Sequence, residues 1–239
     1  FGGNQGATFD RVRFVKPDLT EGEPTYTHAW VCYQAQGTPE RPIRFRDCTF
    51  GTASVELFLG GKGTGTISHI VVERCRFEGD ALADILNGSE RHYSRIKLVG
   101  PARHVRILDN LFLGGEDGIR LEGLANGSGP IAILANRFHR TVYWVNPSQS
   151  SATAEGVEIA DNVIAGADAV IDGDGDPLAD LRHRGWRIHD NLWETAQDAT
   201  TSLATPRREI EVESRDPSHP DVRHDNREDI ADPVSRILG

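Results

Sequence analysis

A chain of 239 residues is long enough for one elongated domain, and its formal net charge of −10 makes nucleic acid a poor partner, because phosphate binding asks for a basic surface. No apolar run reaches the length of a membrane-spanning helix, so membrane insertion is not expected. The three cysteines, Cys32, Cys48 and Cys75, stand in no CxxC spacing, which argues against a zinc site.

The chain starts at Phe1 in a Gly-rich stretch and contains no Met, which is the expectation for a mature or trimmed fragment lacking an N-terminal cap. Residues 1–14 read as a first repeat, with Ala7, Phe9, Val12 and Phe14 in phase. Residues 16–27 are polar and Pro-bearing, an inserted loop. Residues 29–35 read as a strand, and 37–42 as a turn. A second repeat follows at Ile43, Phe45, Cys48 and Phe50, then a strand over 55–59. Residues 60–65 are Gly-rich but lack the Lys-Ser or Lys-Thr ending and the following helix of a phosphate loop. The third repeat is Ile70, Val72, Cys75 and Phe77, with strands expected over 83–87 and 95–99.

The clearest copy is Val105, Ile107, Asn110 and Phe112: two alternating apolar residues, an Asn, then an aromatic. Period-two alternation is the strand signal. The Asn reads as the bend between strands, because Asn tolerates the left-handed backbone. Further copies are Ile131, Ile133, Asn136 and Phe138; Val157, Ile159, Asn162 and Ile164; and Trp186, Ile188, Asn191 and Trp193. The anchors Val12, Cys48, Cys75, Asn110, Asn136, Asn162 and Asn191 are spaced by 36, 27, 35, 26, 26 and 29 residues. Such a period implies stacked repeats in which each unit covers the next, here an all-β solenoid. Stacking predicts an interior column of aromatics and a ladder of Asn amides. It also sets Cys48 over Cys75, within disulfide range or as two buried thiols. Residues 147–154 read as a second inserted loop, and 172–180 as an acidic turn. The repeat domain is placed at 1–196 and a polar tail or lateral cover at 197–239.

This pattern resembles the right-handed parallel β-helix family, the fold of pectate lyases, polygalacturonases, alginate lyases and phage tailspikes. The resemblance covers residues 7–193 and implies about seven coils. It implies a secreted, periplasmic or cell-surface protein that meets a polysaccharide on one strand face, most often as a uronate-directed lyase. The alternatives are a glycan-binding, adhesin-like or tailspike-like module, or a glycoside hydrolase.

With Ile119 and Leu121 facing in, Arg120 and Glu122 face out, and aligning the other repeats adds Asp84, Tyr143 and Asp172. Arg120 is the candidate lyase base by resemblance, with Asp84 and Glu122 beside it. Residues 115–119 (Gly-Glu-Asp-Gly-Ile) resemble the polygalacturonase run that carries two catalytic carboxylates, which makes Glu116 and Asp117 further catalytic candidates. The companion Asn-Thr-Asp, Gly-His-Gly and Arg-x-Lys motifs are missing at the expected places. Tyr143 and Trp144 are adjacent, so one ring should face out and stack on a sugar, and Arg95 is a further candidate substrate contact. Asp172, Asp174 and Asp176 resemble the start of an EF-hand calcium loop, with Pro177 and His183 departing from it, so calcium is the candidate cofactor.

Overall fold

A computed structural model describes residues 6–15, 28–51, 55–60, 65–78, 94–114, 117–124, 127–139, 141, 143–147, 154–165, 169–171, 187–194, 222–224 and 227–229. The strands arrive in threes. The first repeats hold Thr8–Asp10 (β1), Arg13–Val15 (β2), His28–Tyr33 (β3), Ile43–Arg46 (β4), Thr49–Gly51 (β5) and Val55–Gly60 (β6). The middle ones hold Ile67–Glu73 (β7), Arg76–Phe77 (β8), Ser94–Val99 (β9), Ala102–Leu108 (β10), Leu111–Leu113 (β11) and Asp117–Glu122 (β12). Then come Ile131–Leu134 (β13), Arg137–His139 (β14), Tyr143–Pro147 (β15), Val157–Ala160 (β16), Val163–Ala165 (β17) and Ala169–Ile171 (β18). The last are Arg187–His189 (β19), Leu192–Glu194 (β20), Val222–His224 (β21) and Arg227–Asp229 (β22).

Each strand pairs, in parallel, with its equivalent in the next repeat: the third strand on as far as β20, and the second on where β19 pairs with β21 and β20 with β22. This makes two eight-stranded sheets, β1-β4-β7-β10-β13-β16-β19-β21 and β2-β5-β8-β11-β14-β17-β20-β22, and a six-stranded sheet, β18-β15-β12-β9-β6-β3. The architecture is all-β over the described residues and compatible with a parallel β-helix.

The core is the stacked apolar columns. Phe14, Phe50, Phe77, Phe112 and Phe138 form one stack with ring centroids 4.6–4.9 Å apart, which is the strand spacing expressed in side chains. Each such contact adds roughly 0.5–1.5 kcal/mol beyond burial. Phe9 stacks on Phe45 in a second column, at 4.8 Å.

The Asn column forms the expected ladder. Asn110 Nδ2 donates to Asn136 Oδ1 at 2.9 Å, Asn136 Nδ2 to Asn162 Oδ1 at 3.1 Å, and Asn162 Nδ2 to Asn191 Oδ1 at 2.9 Å. The second amide hydrogen goes to the strand carbonyls of Val72, Ile107 and Ile133. Cys75 takes the same place with less capacity: its Sγ donates to the Phe45 carbonyl, and its N–H is received by Asn110 Oδ1 at 2.8 Å. Cys48 and Cys75 are free buried thiols, and burial pushes Cys75 up to about 12.

The bend itself falls one residue earlier than expected. Arg11, Asp47, Arg74, Asp109, Ala135, Asp161 and Asp190, each just before an anchor, have φ of 51–56°. The left-handed conformation costs a non-Gly residue on the order of 1 kcal/mol. Here the N–H of the bent residue is rewarded by a carbonyl of the following repeat, as in Asp47 to Glu73, Arg74 to Leu108 and Asp109 to Leu134. The Asn therefore serves the ladder, and the residue before it makes the bend.

Residues 222–229 lie in the expected polar tail, yet β21 pairs with β19 and β22 with β20. Their register sets Arg223 beside Ile188 and Glu228 beside Trp193, so the apolar columns that revealed the repeat are broken there.

Candidate functional site

The outer face of the six-stranded sheet gathers the polar residues. Ile119 and Leu121 are fully buried in the core, and Arg120 and Glu122 point the other way, as their alternation requires. Register builds three columns across the strands: Val31–Phe58–Lys97–Arg120–Asn146, Val55–Ser94–Asp117–Tyr143 and Tyr33–Gly60–Val99–Glu122.

A network closes over this face. Ser94 Oγ donates to Asp117 Oδ2 at 2.8 Å, and Asn146 Nδ2 to Asp117 Oδ1 at 2.7 Å. Arg120 lies between two carboxylates, with Nη1 3.6 Å from Asp117 Oδ2 and Nε 3.3 Å from Glu122 Oε2. Lys97 Nζ sits 2.8 Å from the same Glu122 oxygen. Partial burial would raise the Glu122 carboxyl, but Lys97 and then Arg120 outweigh it and hold it below its ordinary value. Exposure grades across the network: the Asp117 side chain is 0% exposed, Arg120 9%, Lys97 16% and Glu122 36%. The deep carboxylate is thus an organiser of the face, and Lys97 and Glu122 are its more exposed members.

Two expected residues belong elsewhere. Trp144 is fully buried and packs edge-on against Phe138 at 5.7 Å, so it fills the core and offers no ring to a sugar. Arg95 is 1% exposed and ion-paired with Glu56 at 3.1 Å inside the molecule, so it is turned away from that face. Glu56, the partner of Arg95, is also buried. One local feature explains all three. The pairing runs Ser94–Asp117 and then Ile96–Ile119, so Arg95 and Gly118 fall in a break of the ladder. The same break occurs at Glu56 and at Trp144, where Trp144 and its neighbour Val145 both enter the core. Gly118 fits that crowded column because a Cβ there would come within 2.6 Å of Phe138 Cδ1.

Asp84, Glu116, Asp172, Asp174 and Asp176 lie outside the described residues, and of Tyr143 only the backbone position beside Asp117 is described. The neighbour of Arg120 on the preceding strand is Lys97, where equal spacing had put the segment bearing Asp84. Val55, Asp117, Tyr143 and Ala169 each come five residues after the stacked position of their repeat, whereas Ser94 comes 17 after Phe77. The long insertion precedes the strand, and Ser94 and Lys97 were missed for that reason. Among the described residues no group of three or more His, Cys, Asp or Glu is placed to hold a metal ion.

His69, His104 and His189 lie on the first eight-stranded sheet. His69 and His104 stack at 4.4 Å on neighbouring strands, and burial, then His104, lowers the His69 imidazole. His189 is raised by its hydrogen bond to Asp190, with Glu158 adding to the effect.

No protein-family model matches the chain, and neither a curated protein nor a solved structure matches it.

Proposed function

We propose that the chain is a right-handed parallel β-helix protein of the extracellular space that holds a uronate-containing polysaccharide on the outer face of its six-stranded sheet, as a glycan-binding module. The observation that carries this reading is the network of Ser94, Lys97, Asp117, Arg120, Glu122 and Asn146. It spans neighbouring strands, so a chain lying along the stack meets fixed polar groups about every 4.8 Å. Two cations in one column, Lys97 and Arg120, suit a polymer that carries carboxylates.

Binding is favoured over cleavage by how the charges are paired. Arg120 stands between two carboxylates, Asp117 and Glu122, which suits fixing the geometry of the face more than taking a proton. Asp117 has both oxygens engaged and no exposed surface, which suits orientation of its neighbours more than acid or base work. Lyase-type cleavage of the same polymer is the second reading. It is favoured by Lys97 and Arg120 standing side by side, where one cation would hold the uronate carboxylate while the other side chain, in its neutral form, would take the C5 proton as the glycosidic oxygen leaves C4.

The test is calorimetric titration with pectate, alginate and glycosaminoglycans, with calcium and with chelator, followed by absorbance in the unsaturated-uronate band on the same samples. Calcium is included because Asp172, Asp174 and Asp176 are its proposed ligands. Saturable binding without a rise in absorbance supports the module. A rise that Arg120→Ala removes supports the lyase. Neither binding nor a rise discards both.

A further inference from the structure

The geometry points to Phe58 as the sugar-stacking platform of this face, with Lys97 on the next strand meeting the carboxylate of the stacked uronate or its neighbour. This rests on the carbohydrate-face reading above and names the subsite within it.

Phe58 is the odd member of its strand. Leu57 and Leu59 on either side are fully buried, while Phe58 points outward and stays partly exposed. An aromatic ring held on the outside of a sheet gains less from burial than one in the core. Its ring also leans along the strand. A Cβ added at Gly60, two residues on and on the same face, would run into Phe58 Cε1 and lie 2.8 Å from Cζ. Gly60 is therefore the position that lets the ring lean along the strand, and the partly exposed part of the ring is what a ligand would stack on. The electron-rich face of an aromatic ring attracts the C–H-bearing face of a pyranose, just as it attracts the positive edge of another ring.

The surroundings grade from apolar to charged in the right order. Val31 lies on one side of Phe58 in the column, and Lys97 then Arg120 on the other. Strand spacing puts Lys97 about 4.8 Å further along, roughly one sugar ring. A Lys ammonium carries three donors. One of them serves Glu122, the most exposed member of the network, and a ligand carboxylate would take the place of Glu122 there. Trp144, the aromatic that adjacency with Tyr143 nominated, is in the core, and Phe58 is the described aromatic that replaces it on this face.

The experiment is affinity electrophoresis of the full chain through gels containing polygalacturonate, alginate or their carboxyl-reduced neutral forms, with circular dichroism melts to confirm folding. Phe58→Leu should weaken retardation by charged and neutral polymers alike, by roughly tenfold. Phe58→Trp should keep it, and Gly60→Val, which lifts the ring from the strand, should reproduce the loss. Lys97→Gln should weaken only the charged polymers. If the wild-type protein is retarded and a folded Phe58→Leu variant is retarded equally, Phe58 is not the platform and the carbohydrate-face reading survives. If the wild-type protein is retarded by none of the polymers, that reading and this subsite fall together.

Discussion

Two columns of buried polar side chains run through this molecule, and they differ in how completely they are satisfied. In the Asn110–Asn136–Asn162 column each amide donates twice and accepts at least once, with every partner supplied by the neighbouring repeat. In the column of Glu56, Arg95 and Trp144 there is one ion pair and one bond from Arg95 Nε to the Gly114 carbonyl. Glu56 Oε2, Arg95 Nη2 and Trp144 Nε1 have no hydrogen-bond partner among the described residues. Repetition accounts for the contrast. A polar group that recurs every repeat brings its own partner, whereas one that occurs once must find its partner by chance of packing. Burial pushes Glu56 up to about 8, against the opposing pull of Arg95.

The largest expected effect is at the middle of the ladder. Asn136→Ala removes the acceptor of the Asn110 N–H and side-chain amide and the donor to the Ile107 carbonyl. At roughly 1–3 kcal/mol per orphaned group, the loss should be about 3–6 kcal/mol, read by urea unfolding. Next comes the isolated pair. At pH 9, where Glu56 is ionised, Arg95→Met should cost about 3–5 kcal/mol, and adding Glu56→Leu should return most of it, since an apolar pair can replace a buried ionic one. No such rescue is expected for a second substitution in the Asn ladder, and an equal rescue there would break the contrast.

A pH series sharpens the same point. The Glu56 carboxyl is raised in the folded state, so folded protein binds more protons than unfolded between the ordinary Glu value, about 4.3, and about 8. Its contribution is present at low pH and is lost as pH rises through about 8. Glu56→Gln should flatten that fall, and a stability difference between the two proteins that does not change with pH would refute the assignment. The smallest effect is a gain. Cys75→Asn extends the ladder by one amide, with a donor for the Phe45 carbonyl and an acceptor facing the preceding repeat. It should add about 0.5–1.5 kcal/mol, visible as a rise in melting temperature.

The legible part of the fold was whatever recurs. The Phe50–Phe77–Phe112–Phe138 stack and the Asn ladder follow from residue spacing, because a stacked repeat places like above like. The bend was misplaced by one residue because both Asp109 and Asn110 are residue types that tolerate the left-handed backbone, and only the ladder distinguishes their roles. The strands at 222–229 were missed because Arg223 and Glu228 stand at register positions held by apolar residues in the repeat before. On the candidate face, Arg120, Glu122 and Asp117 were found from alternation and a short motif. Lys97 was hidden by an insertion that precedes its strand, and Phe58 carries no motif to draw attention.

What the sequence determined by itself is the period, the apolar columns and the side on which Arg120 and Glu122 stand, since these depend only on alternation and repetition along the chain. What the tertiary structure decided is the inward turn of Glu56, Arg95 and Trp144 at the break in the six-stranded sheet, and the meeting of Lys97, Arg120 and Glu122 across two strands. A break in a strand reverses which residues face the core without altering the composition around it. A contact between strands depends on register, which a long insertion shifts without leaving a mark in either strand.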